Sequence, residues 1–305
     1  MLNPSQITSI YPNVCQATGG DGFHIEYMPE FFDNDPDDNS LPHVHTFYEI
    51  IWFQEAGGVH TVDFTDYEIQ ANSLCFLSPG QVHRFDGKTR HKGIQLKFCT
   101  DFMRDENGDE DIFLKYNVFN AFDKSPFVVI RDEHVAKELE KVIWRMQEEE
   151  RHSLGGCPTC NDFAHMDMLR ALVRIFLIYV HRYGQRLGVE KLDTMKPSHR
   201  LFVQFRRKVE QNYRTLHTVG EYADLLNVSS KTLSNSVLEC SKKTPLAFIN
   251  DRIILEAKRL LQFTDLMVKE VAYKLGYDDP SYFVKFFKRQ TGELPTKLRT
   301  RPQSL

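Results

Sequence analysis

The sequence predicts an α+β protein with two main domains. We expect an amino-terminal antiparallel β-barrel with a helical hairpin, followed by an all-α carboxyl-terminal domain with two helix-turn-helix motifs. Three observations lead to this prediction: short strand-like segments with turn residues between them, then apolar residues at helical spacing, then a helical pattern that occurs twice. The predicted domain ranges are 1–125 for the barrel, 126–197 for the hairpin and linker, and 198–305 for the helical domain.

The composition is that of an ordinary globular chain. Its 305 residues are 41% hydrophobic and 26% charged, which allows a sizeable core. No apolar run approaches the roughly 20 residues of a membrane helix, and the first residues lack the features of a signal peptide. Six scattered cysteines do not form a disulfide framework, and the lone Cys157–Cys160 pair in a CxxC spacing does not predict zinc or redox chemistry. We therefore expect a cytoplasmic protein with no membrane partner.

The charge is divided unevenly along the chain. Residues 199–305 contain 19 Lys and Arg against 11 Asp and Glu, although the whole chain has a formal net charge of −4. Such asymmetry is typical of a nucleic-acid-binding module joined to an acidic domain. A solvated surface can carry the same excess, so the charge needs the support of a motif.

The first 125 residues contain short segments rich in Phe, Tyr, Val and Ile. Turn residues such as Gly57-Gly58 and Asp86-Gly87 separate them, and no helical pattern lies between them. This arrangement predicts an antiparallel barrel or sandwich. The expected strands are 23–28, 46–54, 58–64, 67–71, 74–77 and 92–99.

The middle region changes to a helical period and predicts two helices. Val135, Leu139, Val142, Ile143 and Met146 share one helix face. The second helix carries a heptad-like seam, spaced 3, 4, 3, 4, 3, which is typical of a face that meets a partner helix. We predict this seam as the surface of a homodimer, with an intramolecular hairpin packed on the barrel as the alternative. The seam consists of Met166, Leu169, Val173, Phe176, Val180 and Tyr183.

The last hundred residues contain an internal repeat. Residues 219–227 and 268–276 share one pattern at an offset of 49. Ala223 and Ala272 occupy equivalent positions, where a small side chain permits a tight contact between two helices. The repeat therefore predicts two copies of one supersecondary unit.

Each copy continues through a turn into a second helix. Asn227 and Gly276 accept a left-handed backbone well, and helices are expected to start at Ser230 and at Pro280, with Asp279 as a cap. Helix, short turn and helix form a helix-turn-helix motif. The two motifs are expected at about 218–241 and 267–291.

An amphipathic helix is predicted between the two motifs, over residues 246–262. Its length is about 25 Å at 1.5 Å per residue. Such a helix can hold two recognition helices near the ~34 Å that separates successive major grooves on one face of DNA. One chain is therefore expected to read two adjacent major grooves.

Residues 256–261, 271–277 and 279–292 resemble the AraC/XylS family of bacterial transcription regulators. The first motif is looser, because Lys242 stands where the family usually has Gly and Ser236 where it usually has an apolar residue. The resemblance implies a sequence-specific regulator of transcription that binds double-stranded DNA. It favours activation, which would make RNA polymerase a partner.

The amino-terminal region resembles the cupin-like sensor domain of many AraC family members, through residues 42–49 and 77–84. His43, His45 and Glu49 share odd parity, so on one extended strand they would point the same way. His83 could complete a set of three His and one carboxylate, which in cupin enzymes holds a divalent metal. The second motif departs from the enzyme pattern, so we expect no metal or other cofactor. A polar ligand pocket or a hydrogen-bonded structural cluster is the expectation.

The resemblance to a sensor implies a small-molecule effector. Tyr27, Tyr48, Trp52 and Phe85 are candidate apolar walls, and the predicted ligand-binding residues are His43, His45, Glu49, Trp52 and His83. The alternative function is a metal-dependent cupin enzyme with a basic carboxyl-terminal domain. The repeated motif favours a regulator over an enzyme, since an enzyme has no need of two equally spaced recognition helices.

The periodicity of the recognition helices indicates which side chains face DNA. Leu233 and Val237 in the first helix, and Phe283 and Phe287 in the second, are predicted to face inward. Asn pairs with adenine and Lys reaches guanine, whereas phosphate contact is favoured for Lys288 and Arg289. The predicted DNA-binding residues are Lys231, Ser234, Asn235, Ser281, Lys285, Lys288 and Arg289.

Overall fold

The computed structural model describes residues 14–15, 22–28, 40–99, 102, 119, 125–154, 164–186 and 196–299. The chain forms two compact units that divide between Lys191 and Leu192. The first unit holds the strands and two long helices, and the second unit is helical, which confirms the predicted α+β class with two main domains. Residues 187–195 of the predicted linker and the CxxC segment at 157–160 lie outside the described residues.

The first unit contains ten strands within its described residues. The strands are β1 Val14–Cys15, β2 Phe23–Tyr27, β3 His43–His45, β4 Tyr48–Phe53, β5 Val59–Val62, β6 Thr65–Glu68, β7 Ser73–Leu77, β8 Val82–Phe85, β9 Gly93–Phe98 and β10 Phe127–Val129. They form one sheet of order β1-β3-β8-β5-β6 and a second of order β10-β7-β4-β9-β2. β1 and β3 are parallel, and the other pairs are antiparallel.

Four of these strands, β1, β3, β8 and β10, are absent from the predicted set. β1, β3 and β10 are only two or three residues long, and β3 and β8 contain His in place of a run of apolar residues, so their strand signal is weak. β10 pairs with β7, with Val128 opposite Leu74. The sheet therefore continues beyond residue 125, the predicted end of the barrel.

Alternation along β4 separates two buried faces. Ile51 and Phe53 belong to one apolar cluster together with Leu77 and Phe85. Tyr48 lies on the opposite face, where its ring stacks on Phe98 at 5.7 Å between centroids. Because successive side chains of a strand point to opposite faces, this division assigns every residue of β4 to one face or the other.

The two long helices, α1 (Glu133–Leu154) and α2 (His165–Arg186), pack against each other. The residues predicted as a dimer seam lie inside this single chain: Met166 is half-buried, and Leu169, Val173, Phe176, Val180 and Tyr183 are at most 4% exposed. The Tyr183 hydroxyl also accepts a hydrogen bond from the Arg131 backbone N–H at 2.8 Å. The prediction that these residues form the dimer surface is therefore wrong, and the intramolecular alternative describes them. An apolar stripe on a helix shows that a face is covered without showing what covers it.

The second unit is built from helices. The predicted helix over 246–262 is present as α6 (Pro245–Phe263). The two helix-turn-helix motifs are α4 (Val219–Leu225) with α5 (Ser230–Ser241) and α7 (Val268–Lys274) with α8 (Pro280–Thr291). Across the parts of the chain that the structure describes, none of the helices has the length and apolar character needed to cross a bilayer. The helices are α3 Pro197–Asn212, α4 Val219–Leu225, α5 Ser230–Ser241, α6 Pro245–Phe263, α7 Val268–Lys274, α8 Pro280–Thr291 and α9 Pro295–Arg299.

Buried charges join α3 to α6. The Arg252 guanidinium donates to both carboxylate oxygens of Glu210, at 2.8 and 2.9 Å, and to Glu256 at 3.2 Å. Arg214 donates to the other oxygen of Glu256 at 2.8 Å. Buried ions are tolerated when they are paired in this way, and removing one partner leaves an uncompensated charge. The network fixes the helix that connects the two motifs.

Candidate functional site

The turns of the two motifs have the backbone that the sequence predicts. Asn227 has a φ of 53° and Gly276 a φ of 79°, both in the left-handed region. Ala223 and Ala272 are buried, at 1% and 0% exposure, at the contact between helices. Small residues at these positions therefore allow the two helices of each motif to approach closely.

The recognition helices α5 and α8 begin at side-chain caps. Ser229 accepts a hydrogen bond from the Thr232 backbone N–H at 3.1 Å. Asp279 accepts one from the Ser281 backbone N–H at 2.8 Å, with Pro280 in the first turn as predicted. Because the first amides of a helix have no partner within the helix, these caps set where each recognition helix starts.

The first helices of the motifs also begin alike. The Thr218 backbone N–H donates to Glu221 at 2.8 Å, and the Met267 backbone N–H donates to Glu270 at 2.7 Å. The Thr218 contact belongs to a capping box, in which a Glu three residues into the helix reaches back to the cap, and the Met267 contact reproduces this half of the box. The repeat thus extends to the polar contacts that fix each helix terminus.

The recognition helices present equivalent faces. Leu233, Val237, Phe283 and Phe287 are buried, as their spacing predicts. The pattern of buried and exposed positions over 231–239 recurs residue for residue over 281–289. Six of the seven predicted DNA-binding residues are exposed and the seventh, Ser234, is half-buried: Lys231, Asn235, Ser281, Lys285, Lys288 and Arg289 are the exposed ones.

Of the two departures from the family pattern in the first motif, one has a local explanation and the other keeps an unfavourable backbone. Ser236 is 3% exposed, and its hydroxyl donates to the backbone carbonyl of Ser198 at the start of α3. Its counterpart Phe286 is a buried aromatic residue. Lys242 ends α5 with a φ of 60°, and at the equivalent position Gly292 ends α8 with a φ of 79°. The serine is satisfied by a hydrogen bond, whereas the lysine keeps a backbone that glycine adopts more easily.

The predicted polar residues of the barrel converge. Nε2 of His45 lies 2.6 Å from Nε2 of His83 and 3.3 Å from Oε2 of Glu49. The ring of His43 lies 4.2 Å from that of His83, centroid to centroid. All four side chains are buried, at 1–5% exposure. The sequence therefore predicted a set that the fold brings together.

The expectation that His43, His45 and Glu49 lie on one extended strand is wrong. His43 and His45 lie on β3, and Glu49 lies on β4 of the other sheet. The chain bends between the two strands, at Thr46-Phe47. The side chains meet because the two sheets face each other across the barrel interior, and not because they share the parity of one strand.

Trp52 does not belong to this set. It lies three residues after Glu49 on the same strand and therefore points to the opposite face. Tyr48 lies on that opposite face too, and Tyr27 is 41% exposed with its hydroxyl donating to Gln147 of α1. Of the predicted aromatic walls, only Phe85 lies in the apolar cluster of the interior.

The sequence motifs do not identify two further residues of the interior, His60 and Gln95. Nε2 of His60 lies 3.0 Å from Nδ1 of His83, and its ring stacks on Phe85 at 4.6 Å. Gln95 is 1% exposed, and neither of its amide atoms has a hydrogen-bond partner. His60 and His83 are 23 residues apart in the chain. The signal in the sequence that indicates an inward position for His60 is the alternation along β5.

Burial sets the charge of this cluster. It lowers the pKa of His43 to about 4 and that of His60 to about 3, so both rings are neutral at pH 7. Burial also opposes the charge on Glu49, but the neighbouring His45 holds the pKa of this carboxyl below its usual range. A neutral imidazole has one nitrogen that can accept a hydrogen bond or bind a metal ion. Ring nitrogens of His43, His45 and His83 lie within 4.8 Å of one another, which fits a shared ion.

Comparison with known proteins supports both domains. Residues 30–155 match the family profile described as an AraC-like ligand binding domain, and residues 222–301 match that of a helix-turn-helix domain. The chain is 22% identical over 265 residues to the HTH-type transcriptional activator RhaS of Yersinia pestis strain Pestoides F, covering 85% of this chain and 88% of the relative. The same values hold for RhaS of Yersinia pseudotuberculosis strain YPIII.

Solved structures are also similar to this chain. ToxT from Vibrio cholerae is 15% identical with a TM-score of 0.41, over 90% of this chain and 97% of that one. The carboxyl-terminal domain of the response regulator yesN from Fusobacterium nucleatum is 25% identical with a TM-score of 0.30, over 32% of this chain and 94% of that one. The two profiles lie in the order of the two domains described above. The chain is therefore a DNA-binding transcription regulator with an amino-terminal AraC-like ligand-binding domain, and it is similar to the AraC family over both domains.

Proposed function

We propose that this regulator activates transcription and that each chain reads two adjacent major grooves, one with α5 and one with α8. The observation that carries the proposal is the recurrence of one exposure pattern on both recognition helices. Activation is supported by the similarity to transcriptional activators along most of the chain. RNA polymerase would then be a partner.

We assign base reading to equivalent positions of the two helices. Asn235 and Lys285 are 50 residues apart, both are exposed, and each lies directly before a pair of consecutive buried residues in its helix. Asn can make two hydrogen bonds to adenine, and Lys can reach the acceptors of guanine. Lys288 and Arg289, near the end of α8, are assigned to phosphates, which position a protein without reading sequence.

A selection experiment tests this function. The full chain would be used to select DNA from a random pool, and affinities for the selected site and its single-base variants would be measured by fluorescence anisotropy. Asn235→Ala and Lys285→Ala are expected to lose about 1–3 kcal/mol each, at one or two base pairs only.

Lys288→Ala is the matched control. It is expected to weaken binding to all sequences alike and to reduce the dependence of log affinity on log salt by about one phosphate contact. Uniform weakening by Asn235→Ala or Lys285→Ala would assign these residues to the DNA backbone. A selected pool without any shared sequence would contradict sequence-specific regulation.

We further propose that the barrel acts as a sensor and not as an enzyme. The proposed contacts to an effector are His43, His45, Glu49 and His83, which converge in the interior, and Trp52 is removed from this group. Directional polar groups beside an apolar cluster are typical of small-molecule sites.

A homodimer remains part of the proposal, with a different surface from the buried seam. Trp144 on α1 and Met168 and Ile175 on α2 are large apolar side chains with exposures of 51%, 51% and 41%. Exposed apolar side chains on one hairpin favour contact with a second copy.

A further inference from the structure

The two helix-turn-helix motifs carry opposite formal charges, although they repeat one fold. Residues 218–241 contain one basic and three acidic residues, so the first motif has a charge of −2. Residues 267–291 contain five basic and three acidic residues, so the second motif has a charge of +2. The basic residues of the second motif are Lys269, Lys274, Lys285, Lys288 and Arg289.

The repeat allows the two motifs to be compared position by position. The offset is 49 in the first helices and 50 in the recognition helices, so Leu225 corresponds to Lys274 and Leu238 corresponds to Lys288. The two leucines are 41% and 52% exposed. Neither leucine is therefore needed to fill the core, and the exchange of leucine for lysine changes the surface of the motif and not its fold.

The charged positions of the second motif lie where a helix-turn-helix meets phosphates. The first helix of such a motif crosses the DNA backbone, while the second helix lies in the major groove. Lys269 and Lys274 lie on α7, the first helix of the second motif, and Lys269 is exposed. At the equivalent places, α4 has Gly220 and Leu225. The first motif thus lacks two cations that the second motif can place beside the backbone.

We propose that the two motifs contribute differently to DNA binding. The second motif, residues 267–291, holds the phosphate backbone and supplies most of the affinity, with Lys269 and Lys274 as additional phosphate contacts. The first motif, residues 218–241, adds sequence selection with little electrostatic attraction. This inference rests on the proposed function, in which each chain occupies two adjacent grooves. Because contacts to phosphates are independent of sequence, the second motif binds first and the first motif then binds a neighbouring groove of matching sequence.

An exchange of charge between the motifs tests the proposal on DNA of random sequence. In the full chain, Lys274→Leu combined with Lys288→Leu gives the second motif the residues of the first. The slope of log affinity against log salt should then become shallower by about 1.8, at about 0.9 for each phosphate. An unchanged slope would overturn the proposal.

The matched control restores the charge at the other motif. Leu225→Lys and Leu238→Lys, added to the same variant, give a chain with the composition of the unsubstituted protein. Its salt slope on random DNA should return to the original value, because the lysines occupy equivalent positions. A slope that stays shallow would show that these positions do not face phosphates and would overturn the proposal. Far-ultraviolet circular dichroism would show that both variants are folded.

Separate halves of the selected site test the division directly. Two duplexes, each with one half of the site, would be titrated with the full chain in the presence of excess random competitor DNA. One half should bind about 10-fold more tightly and with a steeper salt slope, and Lys288→Ala should weaken binding to that half. Equal affinities and slopes for the two halves would overturn the proposal.

These results are distinguishable from a failure of the proposed function. A selected pool without a shared sequence would contradict sequence-specific regulation, while the salt slopes on random DNA would still test the role of the lysines. A two-part selected site with equal halves would support reading of two grooves and overturn only the unequal contribution of the motifs.

Discussion

The imidazole of His217 stacks on the ring of Tyr277, with centroids 4.7 Å apart and planes at 27°. His217 precedes the first helix-turn-helix motif, and Tyr277 lies in the turn of the second. The adjacent Gly276 passes so close to Arg214 that an added Cβ would lie 2.0 Å from its carbonyl oxygen. The turn of the second motif is therefore fixed against the segment that leads into the first.

This contact predicts that Gly276→Ala strongly destabilises the helical unit. The alanine would need a left-handed backbone and would also overlap a backbone oxygen, which cannot move without shifting the chain. We expect a loss of about 4 kcal/mol or more, at the high end for a single substitution. Urea unfolding followed by far-ultraviolet circular dichroism would measure it.

Gly292→Ala separates the two causes. Gly292 has the same φ of 79°, but an added Cβ there would meet nothing within 4 Å. Only the backbone penalty of about 1–2 kcal/mol remains. Equal losses in both variants would show that the close approach to Arg214 contributes nothing.

Lys242→Gly is expected to stabilise the helical unit. Lys242 ends α5 in the left-handed conformation, at a φ of 60°, and a glycine there would remove a cost of about 1 kcal/mol. Lys242→Ala serves as the control, because it removes the same side-chain atoms beyond Cβ but keeps the strained backbone. A gain in melting temperature with alanine as large as with glycine would assign the effect to the lysine side chain.

A glutamate introduced into the hairpin should have different effects on its two faces. On the buried face it should prevent folding, and on the exposed face it should weaken self-association. Leu169→Glu places a charge at a position that is 1% exposed and is expected to unfold the first unit. Ile175→Glu lies at a position that is 41% exposed and should leave the fold intact while weakening self-association. Circular dichroism and analytical ultracentrifugation would read the two properties. A folded, monomeric Leu169→Glu variant would restore the buried seam as a dimer surface.

The first unit should lose stability at alkaline pH through His24. Its hydrogen bond to Glu150, at 3.0 Å, together with Glu26, raises its pKa from 6.5 to about 9. Because the folded pKa is above the unfolded one, the stabilisation is complete below pH 6.5 and is lost as the pH rises to about 9. We expect a fall of about 1 kcal/mol, reduced by partial solvent exposure.

Tryptophan fluorescence isolates this effect, since both tryptophans, Trp52 and Trp144, lie in the first unit. Urea unfolding of the full chain would be followed at pH 6 and pH 9.5, for the unsubstituted chain and for His24→Gln. The variant should show a smaller fall. The same fall in both proteins would mean that another group titrates.

Much of the helical unit was predictable because its determinants are local. Each cap, left-handed turn residue and inward apolar residue lies within about 25 residues of the others in its motif, and the second copy repeats them. The offset is 49 at the turn residues Asn227 and Gly276 and 50 at the caps Ser229 and Asp279, because the second turn is one residue longer. Helix ends and turns of this kind can be predicted from the sequence, because hydrogen bonds between residues close in the chain determine them.

The membership of the barrel interior was predictable only in part, and its arrangement was not predictable. The motifs identified His43, His45, Glu49 and His83, but strand parity holds only within one strand, and the bend after His45 places Glu49 on the other sheet. Alternation does hold within β4, and it places the side chains of Trp52 and Glu49 on opposite faces of that strand.

The sequence by itself determined the two helix-turn-helix motifs, their caps and the exposed faces of their recognition helices. Only the tertiary structure decided that His60 lies behind His83, that Arg252 pairs with Glu210, and that Phe176 packs inside its own chain. Each of these facts is a contact between side chains on different elements. Apolar or ionisable residues indicate that a partner is needed, but chain topology determines which distant residue supplies it.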